Sequence, residues 1–248
     1  MSDEQSRTAS VAYWGSLAAA AAALFGVLGI QLGLLQPLGG FYLFALGTLV
    51  GGVFALVMGL AALWTTRSQG PEQGRRPGRK RAWVATATGL VLTAVLLQSA
   101  LPGSEYPPIN DITTDLDDPP EFASSREVGA YAAFDMGYPA DFVAVVREGY
   151  PDLATLELNL NPNSAYAESL GAARSLGWEI TYQDASKGRF DASQTSAIFR
   201  FVDDIAVRVR ARDSGSEVDI RSRSRVGRGD LGANAARIRR FAEALMDR

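Results

Sequence analysis

The sequence contains no cysteine and no histidine among its 248 residues. Without cysteine the chain has no disulfide bond, no thiolate nucleophile and no Cys-based metal site. Without histidine, the serines of the segment 222–224 have no imidazole base, so nucleophilic catalysis has no visible activator. The C-terminal part of the chain, a domain of about 130 to 145 residues, must therefore be stabilised by an ordinary hydrophobic core.

Long stretches of the chain also lack charge. No Asp, Glu, Lys or Arg occurs between Arg7 and Arg67, and residues 82–104 are again uncharged. A bilayer core requires about 20 apolar residues per helix. Pro37 with the glycines beside it predicts a tight turn between two spans. We predict three transmembrane helices, over residues 11–35, 41–64 and 82–101.

The loop between the second and third predicted spans is strongly basic. Its cations are Arg67, Arg75, Arg76, Arg79, Lys80 and Arg81, and its only acid is Glu72. The positive-inside rule places such a loop in the cytoplasm. We therefore expect a bacterial inner-membrane (plasma-membrane) protein with a cytoplasmic N-terminus and a periplasmic domain over residues 102–248. The first span is long for a signal-peptide core and another span follows it at once, which disfavours cleavage.

Small residues recur every four positions in the second span, at Gly47, Gly51, Ala55 and Gly59. Such a stripe lets helices approach closely. It predicts packing within the three-helix bundle, or alternatively a homodimer.

Beyond the spans, residues 102–128 form an acidic, proline-rich lead-in with neither helical nor strand periodicity. Proline pairs disfavour both helix and central strand, which predicts an extended segment. Charge is distributed unevenly, because residues 102–160 carry twelve acidic side chains against only Arg126 and Arg147. We predict a membrane region over 1–101, this lead-in, and an α+β extracytoplasmic domain over 129–248.

Within that domain, Asn163 or Ser164 is a plausible N-cap for a helix that ends at Gly177. Alternating apolar residues then predict four strands, around 178–183, 189–195, 205–212 and 218–223. A last helix follows with an apolar stripe from Leu231 to Leu245. The predicted fold is an antiparallel four-stranded meander covered by two helices, in an α+β layer.

Several short motifs resemble the domain-of-unknown-function family 1499. They are Asn110-Asp111-Ile112-Thr113-Thr114-Asp115, Asp118-Pro119-Pro120, Tyr150-Pro151-Asp152-Leu153, Gly177-Trp178-Glu179-Ile180, Phe201-Val202-Asp203-Asp204 and the run from Val218 to Gly227. The similarity covers roughly residues 105–246. It implies domain limits and no reaction.

Other motifs have simpler explanations. Residues 227–232 match the G-x-G-x-x-G dinucleotide fingerprint, but the chain ends one helix later and has no second βα unit. We expect a tight turn there, with Asp230 capping the last helix. The acids Asp111, Asp115, Asp117 and Asp118 lack the spacing of an EF-hand loop. The sequence therefore predicts no catalytic residue, no metal site and no cofactor.

Arginine is the remaining signal, because Arg suits bidentate pairing with carboxylate or phosphate. Arg208, Arg210, Arg212, Arg221 and Arg223 should share one face of adjacent strands. Three interpretations stand: a solvated face with acidic neighbours, a face onto which the acidic lead-in docks, and a surface for an external anion. The anion-binding residues in the third interpretation are Arg208, Arg210, Arg221, Arg223, Arg225 and Arg228.

These observations favour a membrane-anchored, non-enzymatic binding or assembly module. Its partners besides the lipid bilayer would be a protein or an anionic lipid or glycan, and not a nucleic acid. The alternatives are a carboxylate-dependent hydrolase or transferase acting on envelope material, and a structural subunit of a membrane complex.

Overall fold

A computed structural model of the chain describes residues 7–67, 78–100 and 105–247. The chain divides into two compact units, of which the first is Met1–Pro102 with Ala197–Arg200 and the second is Gly103–Ser196 with Phe201–Arg248. Residues 68–77, which include Glu72, Arg75 and Arg76 of the basic loop, lie outside the described residues, as do residues 101–104.

The first unit contains three apolar helical stretches that are long enough to cross a membrane, Arg7–Gln31, Pro37–Thr65 and Arg79–Gln98. This confirms the three predicted spans as candidate membrane helices. Helix α1 is Arg7–Gln31 and α4 is Arg79–Ala100. The middle stretch consists of α2 (Pro37–Ala45), a π-helical turn (Leu46–Gly51) and α3 (Gly52–Thr65).

The turn between the first two helices lies earlier in the chain than predicted, over residues 32–36 instead of 36–40. Helix α1 ends at Gln31 instead of Leu35, because Gly33 adopts a left-handed conformation with φ of 71°. Helix α2 already begins at Pro37, since proline lacks the N–H that the first helical position leaves unpaired anyway.

The small-residue stripe lies inside the bundle. A Cβ added at Gly47 would stand 2.7 Å from the carbonyl oxygen of Ala19, and one at Gly59 would stand 2.6 Å from the backbone nitrogen of Thr86. Ala55 is fully buried. The stripe therefore holds α1, α3 and α4 at close distance, and a homodimer through Gly47, Gly51, Ala55 and Gly59 would require these residues to leave those contacts.

The second unit is an α+β fold around an antiparallel sheet, as predicted. Its strand order is β1-β6-β5-β4-β3, and β2 also pairs with β6. The strands are β1 (Asp111–Thr113), β2 (Leu156–Leu158), β3 (Glu179–Asp184), β4 (Arg189–Thr195), β5 (Val202–Arg212) and β6 (Gly215–Ser224). The helices are α5 (Phe142–Gly149), α6 (Pro162–Ser175) and α7 (Ala233–Met246).

Four of these strands form the predicted meander, and β1 and β2 extend it to six. Both added strands pair with the same edge of β6, where Ile112 lies opposite Ser222 and Glu157 lies opposite Glu217. Each has only three residues, which is too short for an alternating pattern to be recognised.

One face of the sheet carries the hydrophobic core. Phe190, Ile205 and Val207 are buried there beneath Leu170 of α6 and Ile238 of α7. Trp178 stacks on Phe241 with ring centroids 5.2 Å apart. The predicted cover of two helices over the apolar face is thus present, although α6 starts earlier than expected, with Asn161 as its N-cap.

Candidate functional site

The opposite face of the sheet is lined with charged side chains. Because successive residues of a strand point to opposite faces, Arg208 and Arg210 of β5 lie on this side with Asp219, Arg221 and Arg223 of β6. We call this side the polar face. It is covered by an irregular stretch, residues 114–140, which we call the covering segment. The covering segment includes the second half of the acidic lead-in.

Two arginines of the polar face bind the acidic lead-in directly. Arg210 donates to Asp115 and to Asp219, at 2.8 Å each. Arg208 donates to Asp118 at 2.9 Å and to Asp115 at 3.1 Å. Asp219 is fully buried at the centre of this group and also accepts from the Thr155 hydroxyl. Of the three interpretations of the arginine face, the structure therefore shows the second, in which the acidic lead-in docks onto that face.

Arg221 forms the most deeply buried ion pair. Its Nε and Nη2 donate to the two oxygens of Asp111 at 2.9 and 2.7 Å, and the two residues are only 2% and 0% exposed. The Gly137 carbonyl accepts a further bond at 3.0 Å. Burial raises the pKa of Asp111, and the hydrogen bonds and positive charge of Arg221 oppose that rise. This bidentate geometry compensates the cost of removing both charges from water.

Aromatic rings enclose the same guanidinium group. It lies 4.8 Å from the ring centroid of Phe122 and 5.1 Å from that of Tyr138. Arg223 lies 6.0 Å from the ring of Phe134. Such distances are those of cation–π contacts, which strengthen when the partners are removed from solvent.

The other predicted anion-binding residues differ in their contacts. Arg225 forms a bidentate pair with Asp204 at 2.8 and 2.7 Å. Arg223 is 3.9 Å from Asp111. Arg228 is exposed and makes no ion pair with any described residue. Four of the six arginines thus form close ion pairs with carboxylates of the same chain. Only Arg223 and Arg228 remain as candidates for binding an external anion.

In the turn before α7, a carboxylate of the chain itself occupies the position in which an external anion was considered. The carboxylate of Asp230 accepts from the backbone N–H groups of Gly232 at 2.9 Å and Asn234 at 2.7 Å. Asp230 therefore caps the last helix, as expected.

The serines of β6 alternate with its arginines and point to the helical side. Ser222 donates to Asn234 at 2.7 Å, and Arg237 donates to Ser222 and pairs with Asp203. This buried network fixes the start of α7 to the sheet. Sequence reasoning missed Arg237, because the helical pattern there shows an apolar stripe and gives no sign of a buried cation.

A cleft of about 610 Å³ opens between the covering segment and the polar face. Arg221 forms part of its floor, and its walls contain Phe122, Tyr131, Phe134, Met136 and Tyr138. Four acidic residues, Asp117, Asp118, Glu121 and Asp135, also border it. This volume is typical of a small-molecule pocket. No pattern in the sequence predicted the cleft, because its aromatic residues follow no helical or strand period.

A second buried carboxyl lies beneath this region. Asp191 is 1% exposed and accepts from the backbone N–H of Ala123 at 2.8 Å. Burial raises the pKa of Asp191 to about 6, and the bond from Ala123 opposes that rise. Neither Asp191 nor Asp111 is among the residues that line the cleft.

A family model described as a protein of unknown function (DUF1499) matches residues 111–245, which is more than half of the chain. The match begins at β1 and ends within α7, so it includes the polar face, the covering segment and the cleft. This confirms the resemblance seen in the sequence. No curated protein matches the chain.

Proposed function

Since the chain belongs to the DUF1499 family of proteins of unknown function, we propose a function from its geometry: a membrane-anchored, non-enzymatic binding module whose ligand site is the cleft above Arg221. The observation that carries this proposal is the composition of that cleft. Aromatic walls surround a guanidinium group that already donates to Asp111 and to the Gly137 carbonyl.

Rigid support of the walls favours binding. Phe122 packs against Tyr131 with centroids 5.5 Å apart, and Arg221 links β6 to the covering segment through Gly137. A pocket that is formed before the ligand arrives loses little entropy on binding. The ion pairs of the polar face thus serve to hold the walls in place.

The enzymatic alternative receives less support. A carboxylate-dependent hydrolase places a carboxyl of raised pKa against its substrate. Here the acids whose pKa burial raises most clearly on this side of the sheet, Asp111 and Asp191, face other protein groups beneath the cleft. The acidic side chains that do border it are exposed.

We further propose that the cleft lies on the non-cytoplasmic side of a bacterial inner membrane. The support is the basic loop between the second and third spans, which the positive-inside rule assigns to the cytoplasm. The third span then carries the α+β unit to the periplasm, where its ligand would come from the envelope.

Photocrosslinking in the native membrane tests the binding proposal. Benzoylphenylalanine is placed at Ala132, which is exposed and lines the cleft, and at Ala185, which is exposed and does not. We expect a discrete adduct from position 132 alone, and we expect Phe134→Ala to reduce it. No adduct at 132, or the same adduct at both positions, would refute the proposal. Adducts from Val57 on α3 without any at 132 would favour a structural subunit.

A further inference from the structure

The charges around the cleft do not cancel evenly. Asp111 neutralises Arg221 on the floor, and Asp118 on the rim pairs with Arg208 at 2.9 Å. The other three rim acids, Asp117, Glu121 and Asp135, are exposed and make no ion pair with any described residue. Among the described residues, Arg223 beside the Phe134 ring is the one cation near the walls without a close carboxylate, at 3.9 Å from Asp111, so a ligand that enters the cleft still meets net negative charge.

The walls already accept cations on their ring faces. The guanidinium of Arg221 occupies positions over Phe122 and Tyr138, and those of Arg223 and Arg225 lie 6.0 Å from the ring of Phe134. Aromatic rings combined with carboxylates are the arrangement that recognises alkylated ammonium groups, which lose less hydration than a primary ammonium does.

Competing ligand classes fit less well. Within the described residues, no group of three acidic side chains is arranged to hold a metal ion. An anion would have to approach three unpaired carboxylates, while the one guanidinium on the floor is already paired. A neutral apolar ligand would leave the rim charges without a role.

We propose that the cleft binds an alkylated ammonium group, with Phe134 and Tyr138 against its methyl groups and Asp117, Glu121 and Asp135 as counter-charges. This inference rests on the proposed function and names its ligand class. Such a group occurs in free choline-like molecules and in the headgroup of a choline lipid.

Calorimetric titration of the full chain in an uncharged detergent tests this. The probes are choline and 3,3-dimethyl-1-butanol, which has the same shape without the charge. We expect choline to bind at least about tenfold more tightly. The double variant Glu121→Gln/Asp135→Asn should lose about tenfold in choline affinity, whereas Asp213→Asn, an exposed acid outside the cleft, should lose none. Unchanged thermal unfolding shows that the variants remain folded.

Equal binding of choline and its neutral analogue would overturn the inference and leave the proposed function standing. Binding of inorganic phosphate instead of choline would also overturn it. If no probe binds, the inference fails, and the crosslinks from position 132 decide the proposed function separately. Where choline binds, glycerophosphocholine identifies the source: tighter binding than choline indicates a lipid headgroup, and weaker binding indicates a free molecule.

Discussion

The two faces of the β-sheet are formed by the same strands and are covered in different ways. On one face, apolar side chains such as Phe190 and Val207 pack beneath α6 and α7. On the other, Arg208, Arg210 and Arg221 pair with acids that precede them by about a hundred residues in the chain. The first face needs only hydrophobic burial, which is not directional. The second needs specific partners, and it is the face that carries the cleft.

The comparison predicts the largest loss of stability on the apolar face. Replacing Phe241 with Ala leaves a cavity beside Trp178, and we expect the free energy of unfolding to fall by about 4 kcal/mol. Denaturation of the detergent-solubilised protein, followed by tryptophan fluorescence, measures this, because Trp178 is the only tryptophan of the α+β unit. The loss should be the same at low and high salt. A salt-dependent loss would contradict the distinction between the two faces.

The buried ion pair should give the next largest effect. Asp111→Ala leaves the guanidinium of Arg221 buried without its carboxylate, and we expect a loss of about 3 kcal/mol. Asp213→Ala, which removes an exposed acid in the turn between β5 and β6, is the matched control and should be neutral. If Asp111→Ala costs no more than this control, the pair does not hold the covering segment.

Asp191 on the polar face should make the stability of the folded chain depend on pH in the mildly acidic range, whereas the apolar face has no such group among the described residues. Its pKa of about 6 in the folded chain exceeds the unfolded value, so folding favours the protonated form. The resulting stabilisation is fully present below about pH 4 and is lost as the pH rises through 6. Relative to Asp191→Asn, the wild type should therefore lose roughly 2 kcal/mol between pH 4 and pH 7. Parallel stability curves for the two proteins would rule this out.

We expect the smallest loss of stability when a partly exposed ion pair between the acidic lead-in and the polar face is removed. Asp115 lies between Arg208 and Arg210, and Asp118 and Asp219 remain beside them when it is removed. Asp115→Ala should cost about 1 kcal/mol at low salt. At 1 M salt the cost should shrink because exposed charges are screened. An equal loss of stability at both salt concentrations would contradict the assignment of Asp115 to a screened, partly exposed ion-pair group.

The sequence predicted the elements that obey a period. Alternation along β5 and β6 assigned Val207 and Ile220 to the core and Arg208 and Arg221 to the opposite face, and the structure has them there. The spans were equally clear, because uncharged helices of that length are rare in soluble domains. These features are local, and local patterns are visible in a single sequence.

The site was not predictable in the same way. Asp111 and Arg221 are separated by 110 residues, so no spacing rule joins them. The covering segment is rich in proline and has no period, so no sequence pattern marked Phe134 and Tyr138 as parts of a site. The acidic lead-in was considered as a partner of the arginines, but charge alone did not separate it from an external anion.

The central claim is that a membrane-anchored protein presents this cleft outside the cytoplasm, and labelling single cysteines in intact cells tests it most directly. The chain has no native cysteine, so Ala132→Cys in the cleft and Gly74→Cys in the basic loop each give an unambiguous signal. With a small membrane-impermeant maleimide, the account predicts labelling at position 132 in intact cells and at position 74 only after the membrane is permeabilised. Labelling at position 74 and protection at 132 until permeabilisation would contradict it.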